Sequence, residues 1–185
     1  VRAVRIAAHG GVDRLEMVDL PRPEPGAGEV RVRVTHVGLN HLDVWVRRGV
    51  DGHPFPLPIV PGSDIVGVRE DTGAIVALHP ATWCGACRRC FEGRQDLCRQ
   101  YRIRGESRDG GCAEEVVVRP EMCLPCPIPP EQAAALPLAL LTAWHMVVGR
   151  ARVQPGESVV VQGGAGGVGS LVIQVARLCG ARVAA

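Results

Sequence analysis

Four cysteines within fifteen residues constrain this chain more than anything else in it. Cys84, Cys87, Cys90 and Cys98 follow the spacing C-x2-C-x2-C-x7-C. Four thiolates so placed can wrap one tetrahedral zinc ion with Zn–S bonds of ~2.3 Å. Gly85, Ala86 and Gly93 suit the tight turns between ligands. All four ligand positions are filled, which leaves no place for water or substrate. The expected ion is therefore structural, one per chain. Arg88, Arg89, Arg94 and Arg99 lie close by in sequence and are expected to offset the charge of a zinc tetrathiolate. An iron–sulfur cluster is a rival, against which the seven-residue last gap and the missing Cys-Pro ending count. Chance clustering or disulfide pairing is the other. Cys123-Leu-Pro-Cys126 has redox-like spacing but lies in a proline-rich turn, not at the head of a helix where a thiolate is stabilised. Cys112 and Cys179 read as small core residues.

Composition narrows the classes. Of 185 residues, 46% are hydrophobic and 22% charged, an ordinary globular balance for one large domain or one and a half. A net charge of +2 is too weak to point to nucleic acid or an anionic membrane. Aromatics at 3% provide no platform for stacking bases. The first residues, VRAVRIAAHGG, lack the apolar stretch of a signal peptide. The longest apolar run, residues 133–149, contains Pro137, Thr142 and His145 and falls short of a bilayer span. Eight cysteines without a secretory signal suit a reducing compartment, so a cytoplasmic protein is expected.

The periodicity changes along the chain. Residues 29–36, EVRVRVTH, alternate as a half-buried strand does, with Val30, Val32 and Val34 on one face. Residues 40–48 read as a short helix with Asn40 as N-cap and Gly49 as stop. Residues 64–69 and 74–78 flank Asp71-Thr72-Gly73 as a hairpin. Residues 80–105 lack periodicity, which marks a lobe ordered by something other than a core. Residues 113–119 are a further strand, and 130–149 read as one helix with Pro130 in its first turn. Residues 158–162, SVVVQ, form the continuous apolar strand of a parallel sheet. Val168, Leu171, Val172, Val175 and Leu178 then recur at helical spacing, and residues 181–185 open a second strand.

Between that strand and helix stands Gly164-x-Gly166-x-x-Gly169. In this reading Gly164 makes the tight turn, Gly166 admits a pyrophosphate and Gly169 lets helix and strand pack closely. The helix N–H groups, including those of Gly167 and Val168, then face the phosphates of NAD or NADP. The residue that separates the two dinucleotides falls about 20 residues past the last glycine, beyond Ala185.

Taken together, EVRVRV, GLNHLD, PGSDIVG, the CxxCxxC lobe, GGCAEEVVV, LTAWHM and VVVQGGAGGVG resemble the medium-chain dehydrogenase/reductases. These are alcohol dehydrogenases with a GroES-like catalytic domain, and their quinone oxidoreductase relatives. The resemblance covers essentially all 185 residues. It implies a mixed α/β fold. Residues 1–130 would form a partly open GroES-like β-barrel carrying the zinc lobe at 80–105. Residues 131–185 would form a linking helix and the start of a Rossmann dinucleotide-binding domain. Family members are much longer, so the chain is expected to be an N-terminal portion, and the longer form a homo-oligomer. A lone βα unit is then expected to leave Val159, Val161, Leu171 and Val175 uncovered and to bind dinucleotide weakly.

The departures from the family pattern carry the functional expectation. Where the zinc alcohol dehydrogenases place the catalytic metal's Cys, His and Cys, this chain resembles them with Asn40, Ser63 and Leu138 instead. The position of the proton-relay hydroxyl is Leu42. Asn-x-x-Asp and Gly-Ser-Asp look like the quinone oxidoreductase branch. The resemblance therefore implies NAD(P)H-dependent hydride transfer to a quinone or α,β-unsaturated carbonyl, with no catalytic zinc. Asn40 and Asp43 make up the catalytic pair, Asn40 as hydrogen-bond donor and Asp43 as organiser. Thr142 corresponds to the hydroxyl beside the nicotinamide, and His41 to a surface histidine or a cofactor-phosphate contact. A zinc-dependent alcohol dehydrogenase and a non-catalytic zinc-stabilised module remain the alternatives.

Overall fold

The computed structural model describes all 185 residues. In chain order the elements are β1 (Arg2–Ile6), β2 (Leu15–Asp19), β3 (Val30–Gly38), α1 (His41–Arg48), β4 (Asp64–Arg69), β5 (Ile75–Leu78), β6 (Ala81–Thr82), α2 (Arg88–Phe91), β7 (Arg102–Ile103), β8 (Glu115–Val118), β9 (Cys123–Pro125), α3 (Pro130–Ala133), α4 (Pro137–Trp144), β10 (Ser158–Val160), α5 (Gly167–Leu178) and β11 (Arg182–Ala184). They fall into two compact units, Val1–Pro137 and Leu138–Ala185. No helix is long and apolar enough to cross a membrane.

The first unit is built on a five-stranded antiparallel sheet in the order β8-β3-β4-β5-β9. The alternation in residues 29–36 sets its inner face. Val32 is fully buried with Ile65, Val76, Leu78, Val116, Val118 and Met122, and Val30 and Val34 pack against them. The opposite face of β3 is not solvent-free decoration. Arg31 bridges Glu24, Glu70 and Glu115 at 2.9, 2.9 and 3.4 Å. A register shift between Val34 and His36 marks a bulge in β3. β1 pairs with β2 and reaches the rest of the unit through bridges at Ala3–Ala113 and Ile6–Ile59. A separate two-strand ladder pairs Ala81 with Ile103 and Thr82 with Arg102, closing the neck of the cysteine lobe.

The residues after the sheet are not one helix. α3 stops at Ala133, residues 134–136 turn, and α4 starts at Pro137. Proline lacks the N–H a continuing helix needs and disfavours helical backbone in the residue before it. α3 stays with the first unit, where Ala133 and Ala134 pack on Val66.

In the second unit α4 runs into a wider π turn, His145–Ala151, that ends on Arg152 in left-handed conformation. β10 and β11 pair in parallel, Val159 opposite Val183. The expected exposed face is corrected here. Val161 and Val175 are buried with Ala143, Val147, Val172, Ala176 and Ala181, because α5 packs its inner face against α4, the π turn and the strands. The large apolar side chains left in solvent are others, Val160 at 77% and Leu178 at 82% exposure.

Candidate active site and metal centre

The lobe brings its four sulfurs together. Cys84 lies 3.8 Å from Cys90, Cys87 3.6 Å from Cys90, and Cys98 3.6 Å from Cys84, sulfur to sulfur. All four lie within 4.8 Å of one another. A sulfur tetrahedron with ~2.3 Å bonds has edges of about 3.8 Å, so these side chains already fit a zinc-sized ion. Backbone N–H groups point at two of them, Ala86 to Cys84 at 3.5 Å and Gln100 to Cys98 at 3.3 Å. The Ala86 N–H pulls the Cys84 thiol down to about 6, while desolvation and the neighbouring thiols push Cys90 up to about 12. A dication resolves that conflict, since every sulfur then binds as thiolate.

Three of the four arginines near the lobe pair with acidic side chains. Arg88 and Arg89 pair with Glu92 at 2.6 and 3.2 Å, and Arg94 with Asp96 at 3.2 Å. Backbone N–H groups are the donors that face the sulfurs directly.

The second cluster lies where α1 meets the start of β4. The Asp43 carboxylate accepts the backbone N–H of Asn40 at 2.7 Å and that of Gly62 at 2.9 Å. It ties the first turn of the helix to the Gly62-Ser63-Asp64 segment. The Asn40 amide donates to Asp64 Oδ2 at 2.9 Å. Ser63 is fully buried, and its hydroxyl donates to the Arg104 carbonyl at 2.6 Å. So Asn40, Asp43 and Asp64 are tied together, while Ser63 is anchored separately on the Arg104 carbonyl. His41 is exposed and packs edge-on against Trp45 at 5.0 Å.

Burial raises the Asp43 pKa above 3.8, against the opposing pull of its two N–H donors. The folded chain thus holds a proton here more tightly than the unfolded one. Stability from this group is complete below 3.8 and is lost as pH rises through the folded-state value. Asn at this position offers one acceptor oxygen for two N–H groups and adds two donors. Asp43→Asn is expected to destabilise the protein by about 2 kcal/mol at neutral pH. It should also remove the part of the stability–pH slope just above 3.8 that Asp43 contributes. Urea unfolding across pH measures both; equal stability of variant and parent at pH 7 would contradict the assignment.

The second unit holds the remaining predicted residues. Thr142 is exposed on α4 and its hydroxyl donates to Leu138 O at 2.8 Å. Gly166 caps α5, whose first turn begins at Gly167. The turn itself is made by Gly163, with φ of +72°, and not by Gly164 as expected. Gly163 O accepts the Gly166 N–H at 3.0 Å. Gly169 has the predicted close approach, since a Cβ there would overlap the Gly163 carbonyl. Gly164 packs against Ala185 and Ile173 instead. The sequence signal for Gly163 was present as the first glycine of GGAGG, one place before the spacing that was read.

Of the other cysteines, Cys112 is half-buried beside Gly62, with its thiol pushed up to about 11 by desolvation. Cys123 stands in β9, and the Cys126 thiol donates to Ile128 O at 3.4 Å.

Residues 26–129 match the alcohol dehydrogenase GroES-like domain. The crystal structure of an NAD-dependent alcohol dehydrogenase is 46% identical, with a TM-score of 0.93, over 99% of this chain and 57% of that one. A cobalt- and zinc-bound thermostable alcohol dehydrogenase from Pyrobaculum aerophilum is 36% identical, with a TM-score of 0.88, over 98% of this chain and 58% of that one. Quinone oxidoreductase of Mus musculus is 30% identical over 99% of this chain and 51% of its own length. The chain thus spans about half the length of these relatives. With the GroES-like domain matched over more than half its residues, the chain belongs to the medium-chain dehydrogenase/reductase family.

Proposed function

We propose that a protein carrying this chain moves hydride from NADPH or NADH to a quinone or α,β-unsaturated carbonyl, without a catalytic zinc, and that its cysteine lobe holds one structural zinc. One observation carries the catalytic part. The two side chains that stand at ligand positions in the first unit are engaged as hydrogen-bond donors, Asn40 to Asp64 and Ser63 to Arg104. A neutral amide and a buried hydroxyl are far weaker zinc ligands than thiolate or imidazole, and the alkyl group of Leu138 offers no lone pair at all.

A bound nicotinamide supplies the hydride. The protein's part is to place and polarise the acceptor. The Asn40 amide carries a second N–H besides the one given to Asp64, and that hydrogen is the donor for a substrate carbonyl oxygen. Asp64 fixes the amide's orientation, and Asp43 fixes the backbone on both sides of it. One neutral N–H is a weaker electrophile than a metal ion, so the substrate must bring its own activation. A conjugated carbonyl does this, and an unactivated alcohol does not. Thr142, with its hydrogen on Leu138 O, keeps lone pairs to accept from the nicotinamide amide. The helix start at Gly166, Gly167, Val168 and Gly169 suits the pyrophosphate, with Gly164 behind it.

A zinc-dependent alcohol dehydrogenase is the second reading, favoured by the 46% identity to an alcohol dehydrogenase. Assay of the full-length enzyme separates the two. The first predicts NAD(P)H oxidation with benzoquinone or an enone at least about 100-fold faster than ethanol oxidation, and one zinc per chain. Alcohol oxidation that exceeds quinone reduction and depends on a second zinc supports the other.

A further inference from the structure

Away from the candidate active site, the first unit has a cavity of about 450 Å³. Four arginines line it: Arg102 in β7, Arg104 and Arg108 in the turn that follows, and Arg119 just past β8. Thr82 and Gln100 add polar groups to the wall, and Glu29 is a carboxylate among the lining residues.

Arg104 is only 3% exposed. Its Nη2 donates to the Val117 carbonyl at 3.1 Å. Its buried Nε has no hydrogen-bond partner. Desolvation and then Arg108 push its pKa down to about 10, so it remains a cation at neutral pH. A buried guanidinium with an unused N–H is unfavourable unless something anionic compensates it. Glu29 offsets part of the Arg104 charge through space, but no carboxylate is salt-bridged to it. Arg108 donates to Thr82 Oγ1 at 3.3 Å, and Arg102 to the Tyr101 carbonyl at 2.8 Å. Arg119 is held by the Trp83 carbonyl at 2.9 Å and Glu121 at 3.1 Å. Glu29 is engaged by the Gly26 N–H at 3.1 Å.

Three arginines on one concave wall, none salt-bridged to a carboxylate, make a site for a ligand with more than one negative charge. Guanidinium forks match phosphate oxygens two at a time. The cavity is larger than a phosphate ion and has room for a small organic group beside it. We propose that this cavity binds a phosphate group, free or carried by a small organic molecule, through Arg104 and Arg108, with Arg102 at its edge. The site is built entirely from the first unit and does not depend on the dinucleotide loop.

Calorimetric titration of the zinc-loaded chain at constant ionic strength tests it, with inorganic phosphate in one arm and ribose 5-phosphate in the other. The expected result is one saturable site with a Kd of about 1 mM or tighter in at least one arm. Arg108→Gln should weaken it at least about tenfold. Arg108 is exposed, so that variant should keep the parent's melting temperature without anion. Arg48→Gln, on exposed α1 surface, should leave the affinity unchanged. Tighter binding of the ester names an organic phosphate as the occupant, and equal binding names the free ion. No saturable heat in either arm, or equal weakening by Arg48→Gln, overturns the proposal.

Discussion

Cys98→Ser is expected to strip the lobe of metal and unfold residues 83–101 while the five-stranded sheet stays folded. Cys98 is the one ligand that is buried, the other three being partly exposed. Around it the lobe offers little else to hold it together. Phe91 and Leu97 are exposed, and the packed clusters take in Trp83 at the lobe's edge but none of the residues between the cysteines. The lobe's stability is then the metal's binding free energy, on the order of 10–16 kcal/mol for structural zinc in peptides. Serine is a far poorer zinc ligand than thiolate, and three sulfurs leave an open position. Elemental analysis should give one zinc per chain for the parent and under about 0.1 for the variant. Trypsin should cut after Arg88, Arg89, Arg94 and Arg99 within minutes instead of hours, while amides of Val32 and Val66 stay protected from exchange. Iron in the parent, or full zinc in the serine variant, would rule this out.

The second large effect is expected at Gly38. It ends β3 opposite Asp64 and stands two residues before Asn40. A Cβ there would overlap the Ala134 carbonyl oxygen, and would come within 3.1 Å of Asp64 Cβ. Neither obstacle is the free end of a flexible side chain. Ala134 is buried against Val66, so relief requires α3 to leave the sheet or β3 to part from β4. Overpacking against backbone of this kind costs about 3 kcal/mol. For a chain of this size that lowers the melting temperature by about 6–12 °C. Gly38→Ala should also disturb the Asn40–Asp64 hydrogen bond, because Asp64 is the residue displaced. Thermal denaturation decides the matter, with Gly167→Ala as control, since nothing stands within 4 Å of a Cβ there. A Gly38→Ala protein that melts with the parent would show that α3 gives way freely.

These two sites also mark what the sequence makes readable. The spacing of Cys84, Cys87, Cys90 and Cys98 is local, and local spacing survives folding; the sulfurs meet as it implies. The alternation in residues 29–36 and the hairpin at 71–73 are local too, and both appear as β3, β4 and β5. Non-local relations were not legible. Arg104 sits in an aperiodic stretch, and its burial depends on the Val117 carbonyl of another strand. Ser63 is read from the family resemblance as a replaced metal ligand, and its bond to the Arg104 carbonyl, 41 positions away, is not legible in the sequence. The break at Pro137 was legible but outweighed by the apolar run around it. Likewise the GxGxxG template drew attention to Gly164, although the left-handed turn falls on Gly163.

The ladder that pairs Ala81 with Ile103 and Thr82 with Arg102 has a consequence for how such chains can vary. It sets the two ends of the cysteine lobe side by side, at the spacing of one strand pair. An excursion whose ends are already joined passes almost no information about its own length to the scaffold. Doubling such a loop costs only about 0.6 kcal/mol of closure entropy. The stretch between Thr82 and Arg102 is therefore a graft point. It can be lengthened, exchanged for a different cluster, or trimmed to a hairpin turn, and Asn40, Asp43 and Ser63 need not register the change.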